Sequence, residues 1–392
     1  INASLRNGDL TVDFTSAIGL NAFLEQVNQS LPILVLAQQD KRLDMTALHH
    51  ALPPFEFRAS AKRDNLIQQY LKGMNMGFAQ LNLLVKNDSL LNSAGEIDRF
   101  STGGIAIDTI QLSLFERHEQ EERLYYSLHV GNKPGNLDQL ASVVLNGFLS
   151  GNTTKLFCVQ KNRQGQEGFR IGCQADFLDS LVQVSFFPKN PIIGFETWNL
   201  NPDNFFAYYY GKHFDADIAL IHTDKHFIIK TTHEGRPHSR LRQDPLKVDI
   251  NGMEIAPWLS LSPFSPQIDG SISANLLINF PENETEVAGS MGITDLYYGK
   301  QRVGDLDLNV DYQLDSLNRQ TAKASMEIDN QQVLTLSGEL DSQVEEPIRI
   351  DLAIENLPLA TANPFFPDKM ALLQGYLNGE MKVTGSTESP LL

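Results

Sequence analysis

The sequence predicts a mainly β protein: an elongated, curved, largely antiparallel sheet with a few short helices in its N-terminal half. The first sign is strict alternation. From Asp305 to Asp315, Leu306, Leu308, Val310, Tyr312 and Leu314 hold every even position, and the odd positions are all Asp, Asn or Gln. Period-two patterning of this kind makes a strand with one dry and one wet face. The second sign is repetition: about twenty segments read as strands and no long helical pattern separates the later ones, which favours antiparallel pairing. A flat open sheet of that many strands curls or splits, so curvature is expected. The third sign is a weak internal repeat at an offset of roughly 100 residues. Pro257–Pro266 and Leu357–Pro367 each carry a Pro- and Phe-bearing segment that precedes an alternating strand near a Gly (Gly270, Gly375).

Residues 1–130 read as mixed β with two helices. Leu20, Phe23, Leu24, Val27 and Leu31 fall at helical spacing over 17–31, with Ser16 as the expected cap, and Leu66, Ile67, Tyr70 and Leu71 do the same over 62–71. Strands are expected over 55–59, 78–85, 105–115 and 123–130. In 105–114 the apolar parity switches near Asp108, which predicts a β-bulge there. Residues 131–245 form a β-rich section with strands over 143–149, 182–187, 205–210, 218–222 and 227–231. Its turn-rich 161–168 folds as a hairpin about Gly165, which brings Cys158 and Cys173 nearly opposite each other. Cross-strand neighbours come within about 4.5–5.5 Å at Cβ, so this pair is a disulfide candidate. The alternative is two buried thiols.

Residues 246–392 form the repetitive β segment. Ile272, Ala274, Leu276 and Ile278 alternate after Gly270. So do Ala324, Met326 and Ile328, then Ile348, Ile350, Leu352 and Ile354, and finally Leu377, Met381 and Val383. The short Pro/Phe segments predict a turn or one-turn helix at an end of the sheet. The chain starts and stops within this patterning and reads as a piece of a longer protein.

Composition narrows the function. Hydrophobic residues make up 42% and charged residues 20%, which suits an ordered chain. A net charge of −17 argues against nucleic acid and anionic lipid headgroups as electrostatic partners. No run of about 18 apolar residues occurs, and no signal-peptide pattern lies within these residues. His213, Asp215, Asp217, His222, His226 and His233 cluster in sequence, but 223–225 reads as a hairpin turn that exposes its flanking histidines instead of building a zinc site. Asp305, Asp307 and Asp311 occupy the wet parity of a strand, so a glycosidase pair is disfavoured. Phosphate-loop, nucleophile-elbow and dinucleotide motifs are absent. No catalytic residue, metal ligand or cofactor is therefore assigned, and the chain is not read as an enzyme. One sugar platform is conceivable, at Phe205, Phe206, Tyr208, Tyr209 and Tyr210.

The terminal pattern carries a resemblance. Leu357-Pro358, Phe366-Pro367, Leu373, Gly375, Leu377, Gly379, Met381, Val383, Gly385-Ser386 and Pro390 resemble the recurring strand of the TamB family, the AsmA-like proteins of Gram-negative envelopes. The segment Leu52-Pro53-Pro54-Phe55 through 63–71 is similar to the forms found in Bacteroidetes-like bacteria. The resemblance covers about 150 residues, mostly after Ile250. It implies a sheet rolled into an open, taco-like groove in the periplasm, in a parent anchored in the inner membrane and reaching toward the outer membrane. It also implies a role in phospholipid transport or in secretion and assembly of outer-membrane proteins, with an outer-membrane barrel protein of the Omp85 type as partner.

An apolar stripe fits that role. Moving one methylene into water costs ~0.8 kcal/mol, so a two-chain lipid of about thirty methylenes faces on the order of 20–25 kcal/mol. The expected lining for phospholipid acyl chains is Ile272, Leu276, Ile278, Leu306, Leu308, Val310, Tyr312, Ile348, Ile350, Leu352, Ile354, Leu377, Met381 and Val383. The competing expectations are a closed sandwich core and a non-catalytic assembly factor that pairs client strands with a sheet edge.

Overall fold

The computed structural model describes residues 1–392 except 41–43, 89, 104, 119–121, 133–141, 211–212, 233–243, 260–265, 282–283, 342, 345–346, 366–371, 387–389 and 392. The fold is mainly β and antiparallel, and it is not closed into a barrel. Contacts divide it into two units, one up to Glu196 and one of the described residues from Thr197 onward.

In the first unit the ladder follows chain order. It runs through Asn2–Asn7, Leu10–Thr15, Phe55–Ala61, Gln80–Asn87, Leu91–Thr102, Ile105–His118, Glu122–Gly131, Ser142–Ser150, Thr153–Lys161, Glu167–Phe177 and Leu181–Ile193. In the second unit it runs through Phe205–Tyr209, His213–His222, Lys225–Thr231, Leu246–Glu254, Ile268–Asn279, Thr285–Tyr298, Gln301–Leu314, Gln320–Ile328, Gln331–Leu340, Ile348–Pro358 and Tyr376–Gly385. Tight turns explain this meander. Asp329 and Asn330 both have positive φ (49° and 63°) between paired strands, which matches the right-handed strand twist.

The helices differ from expectation. The first spans Leu20–Asp40, through Pro32, and not 17–31. Ser16 does not cap it: its Oγ donates to the Pro54 carbonyl at 2.7 Å and accepts the Ile18 N–H, and the helix ladder begins with Phe23 N–H on Gly19. Pro32 forfeits one backbone bond, but the apolar run beyond it supplies Ile33 to a core around Leu48 and Leu124. The second expected helix starts at Leu66 instead of residue 62. The Asp9 carboxylate accepts the N–H groups of Lys62, Arg63 and Asp64 and so holds them in a loop, and Asn65 then caps the helix by accepting Gln68 N–H. A third helix, Met45–Ala51, was not expected; Asp44 caps it by accepting Ala47 N–H at 2.8 Å.

No register shift occurs at Asp108. Asp98 faces Thr109 and Phe100 faces Ile107 without slippage. The irregularity is a break in pairing: the neighbouring ladder starts at Thr109, Asn132 Oδ1 accepts the Asp108 N–H, and Arg99 takes φ +49°. The described parts of the two Pro/Phe segments make short helices, Ile255–Leu259 and the 3-10 turn Leu359–Phe365, ahead of the strands Ile268–Asn279 and Tyr376–Gly385; Pro263, Phe264, Phe366 and Pro367 lie outside the described residues.

Candidate functional site

Register converts the alternating strands of the second unit into rows. One row crosses the ladder through Ile250, Ala274, Met291, Leu308, Met326, Leu334 and Ile354 to Gly379. The next runs through Val248, Leu276, Gly289, Val310, Ala324, Leu336 and Leu352 to Met381. A third runs through Leu246, Ile278, Val287, Tyr312, Ala322, Gly338 and Ile350 to Val383. Ile272 and Leu306 flank Ile293 at one margin, and Ile348 faces Leu340 at the other. Leu377 faces Leu357 beyond a bulge. Eight strands at about 4.8 Å make each row on the order of 35 Å long.

These rows are not sealed. None of the fourteen expected lining residues belongs to the fully buried class, and Leu377 and Met381 are 41% and 42% exposed. A Cβ added to Gly379 would meet nothing within 4 Å, and at Gly338 its nearest neighbour would be Ile350 at 3.7 Å. A second layer of side chains would fill both places. Burial is deepest at the start of this unit, where Trp198, Leu200, Ile218, Leu220 and Leu246 are enclosed.

A line of bulges crosses the ladder beside the first row, at Ile250/Met253, Asp269/Ser271, Ile293/Leu296 and Ile354/Leu357. Bulges bend and twist a sheet and leave N–H groups unpaired. The next strand satisfies three of them: Ser273 Oγ accepts Gly252 N–H, Asp305 Oδ1 accepts Asp295 N–H at 2.7 Å, and Asn378 Oδ1 accepts Asn356 N–H at 2.7 Å. Asp305 is therefore a structural acceptor, and Arg302 binds it at 3.2 Å while also pairing with Asp329. The wet parity of Asp305 in the sequence predicts only a solvated surface acid. Two of the residues that accept a bulge N–H are an Asp following a Gly within Gln301–Leu314 and an Asn near the start of Tyr376–Gly385.

The first unit repeats the arrangement. One row passes through Val12, Ala59, Leu83, Gly95, Leu112, Leu128, Leu145, Cys158 and Ile171. Helices cover the two margins of this face. Leu71 of Leu66–Gly73 packs on Leu10, Ala61 and Phe78, and Leu48 with Ile33 packs on Leu91, Leu114, Leu124 and Leu149. The middle stays uncovered, with Leu112 52% exposed. The expected disulfide is absent: Cys158 and Cys173 are free thiols. Cys158 faces Ile171 and Cys173 faces Leu156, so the two are diagonal neighbours; the turn closes about Gln164, with Asn162 N–H on the Gln166 carbonyl, and not about Gly165. Burial raises the pKa of both thiols.

The other sequence candidates disperse. His226 Nε2 lies 3.0 Å from Asp249 Oδ1, His222 Nδ1 lies 2.8 Å from the Thr197 carbonyl, and His213 stacks on Tyr209. His233 lies outside the described residues. Among the described residues no three metal-ligating side chains come together. The aromatic run at 205–210 splits between faces. Phe206 and Tyr208 pack with Phe214, whereas Phe205 faces Asp217 and Tyr209 faces His213. No described helix is long and apolar enough to cross a membrane. No family model, curated protein or solved structure matches this chain.

Proposed function

We propose that the apolar rows carry phospholipid acyl chains, and that the chain is a periplasmic, non-catalytic segment of a TamB/AsmA-like bridge between inner and outer membrane. The observation that carries this is the unsealed apolar face: three adjacent aliphatic rows run across the strands with no side-chain layer over Gly379 and Gly338. The dimensions suit the cargo. A bilayer hydrocarbon core is about 30 Å thick, so one acyl tail spans about 15 Å, and a row of about 35 Å holds two tails end to end. Rows lie two residues apart, about 7 Å, so two chains of one lipid fit side by side. The tails stay on Leu, Ile, Val and Met, which removes most of the ~0.8 kcal/mol per methylene that water imposes. The resemblance of 357–390 to the TamB strand supports the same reading.

Native mass spectrometry of protein purified from a Gram-negative host tests it. Adducts with phospholipid masses, released as intact two-chain lipids by organic extraction, are expected. Protein that is lipid-free and takes up no phospholipid from vesicles overturns the proposal.

A further inference from the structure

The geometry points to a second binding site, on the opposite face of the first unit, for a small phosphate monoester with a ring-sized apolar body. Register places Phe115, Tyr125, Phe148 and Lys155 in one cross-strand row, and Phe157, Gly172 and Phe187 in the next. Their parity is opposite to that of Leu114, Leu145 and Cys158, so they face away from the apolar rows. All of them but Gly172 line a cavity of about 850 Å³. Phe115 and Tyr125 stack at 5.4 Å, and Phe157 and Phe187 stack at 5.8 Å with their planes 10° apart. Gly172 makes the second stack possible. A Cβ there would lie 2.4 Å from the Phe187 ring, so any other residue would lift that ring off the sheet.

The cavity is basic in a chain of net charge −17. Its lining includes Lys155, Arg170 and Lys189 and no Asp or Glu. Lys155 Nζ sits 4.4 Å from the Phe187 centroid, where the ring face orients the ammonium. Arg170 is partly engaged, by the Asn190 carbonyl at 3.3 Å and by Glu167 at 3.7 Å, yet its Nε is buried without a partner. Among the described residues no carboxylate pairs with Lys155 or Lys189. Lys155, held over Phe187 with no carboxylate beside it, and the exposed Lys189 select an anion, and the two aromatic stacks select a flat apolar body beside it. Asn146 and Ser127 add hydrogen-bonding groups to the wall.

Calorimetric titration of the full chain with phenyl phosphate tests this. Saturable binding is expected, at least tenfold tighter than for inorganic phosphate or phenol. Lys155→Gln should weaken it at least tenfold, and Lys189→Gln, an exposed side chain, at least threefold. Lys382→Gln, which breaks an exposed pair with Asp351 in the other unit, should leave it unchanged. No saturable binding, equal affinity for inorganic phosphate, or unchanged affinity in both Lys155→Gln and Lys189→Gln overturns the proposal. Binding to vesicles containing phosphatidic acid, without binding of free phenyl phosphate, overturns it as well.

Discussion

Leu308→Asp separates an open apolar face from a closed core. Leu308 lies mid-row between Met291 and Met326, with Leu306 and Val310 beside it along the strand. It is half-buried. On an uncovered face the new carboxylate reaches water, and the loss is part of one Leu packing contribution, about 1 kcal/mol. In a closed core the same charge is stranded, which costs several kcal/mol. At about 2–4 °C per kcal/mol for a unit of this size, the first case lowers the melting temperature by a few degrees and the second by ten or more. Lipid binding responds in the opposite sense. A tail laid over the row must cover the carboxylate, which costs at least ~3 kcal/mol, or on the order of a hundredfold in affinity. The assay is differential scanning fluorimetry paired with titration of a fluorescent phospholipid analogue. A folded variant with affinity weakened about a hundredfold is the expected result. Loss of more than ten degrees with the remaining folded fraction binding normally would refute the reasoning.

Acid should loosen the junction around Asp9. The N–H groups of Asp64, then Lys62 and Arg63, together with the Asn65 side chain, hold the Asp9 carboxyl down at about 2. A depressed carboxyl contributes stability above its unfolded value of about 3.9, and that contribution fades as pH falls toward about 2. Amide NMR signals of 62–73 should therefore broaden between about pH 4 and 2, and in Asp9→Asn they should already be perturbed at pH 7 with no further change in that window. Cys158 and Cys173 should both remain unmodified by iodoacetamide at neutral pH and both react after unfolding. Intact mass should be the same with and without reductant, and a two-dalton difference would show the bridge that the register disfavours.

The strands around 272–278, 305–315, 324–328, 348–354 and 377–383 are legible because each keeps one parity over five or more residues, whereas Thr285–Tyr298, broken by a bulge and two glycines, and Gln331–Leu340 are not singled out. The expected lining residues fall on one face for that reason. Boundaries of the helices were not legible because long-range contacts set them. Asp9, more than fifty residues away, decides that 62–65 is a loop, and a packing partner at Leu124 keeps the first helix going past Pro32. The expected bulge at Asp108 failed for a related reason. Parity switches when a strand loses a partner as well as when it slips. The bulges at 250–253 and 293–296 do carry a parity switch, from Val248 and Ile250 to Met253 and from Met291 and Ile293 to Leu296, and Gly252 and Asp295 supply the positive φ (67° and 50°) that each needs.

The aromatic basin is not legible in the sequence because its members come from six strands and meet only through register. Thr153–Lys161 shows how one strand serves both faces. Leu156 and Cys158 point into an apolar row, while Lys155 and Phe157 point into the basin. Flat rings on a pleated surface need a gap beneath them, and glycine supplies it on each side. Tyr126 lies over Gly147 on the apolar face, where its hydroxyl donates to the Lys155 carbonyl at 2.7 Å, and Phe187 lies over Gly172 on the other. The Tyr126 bond thus anchors the backbone of the residue whose ammonium faces the basin.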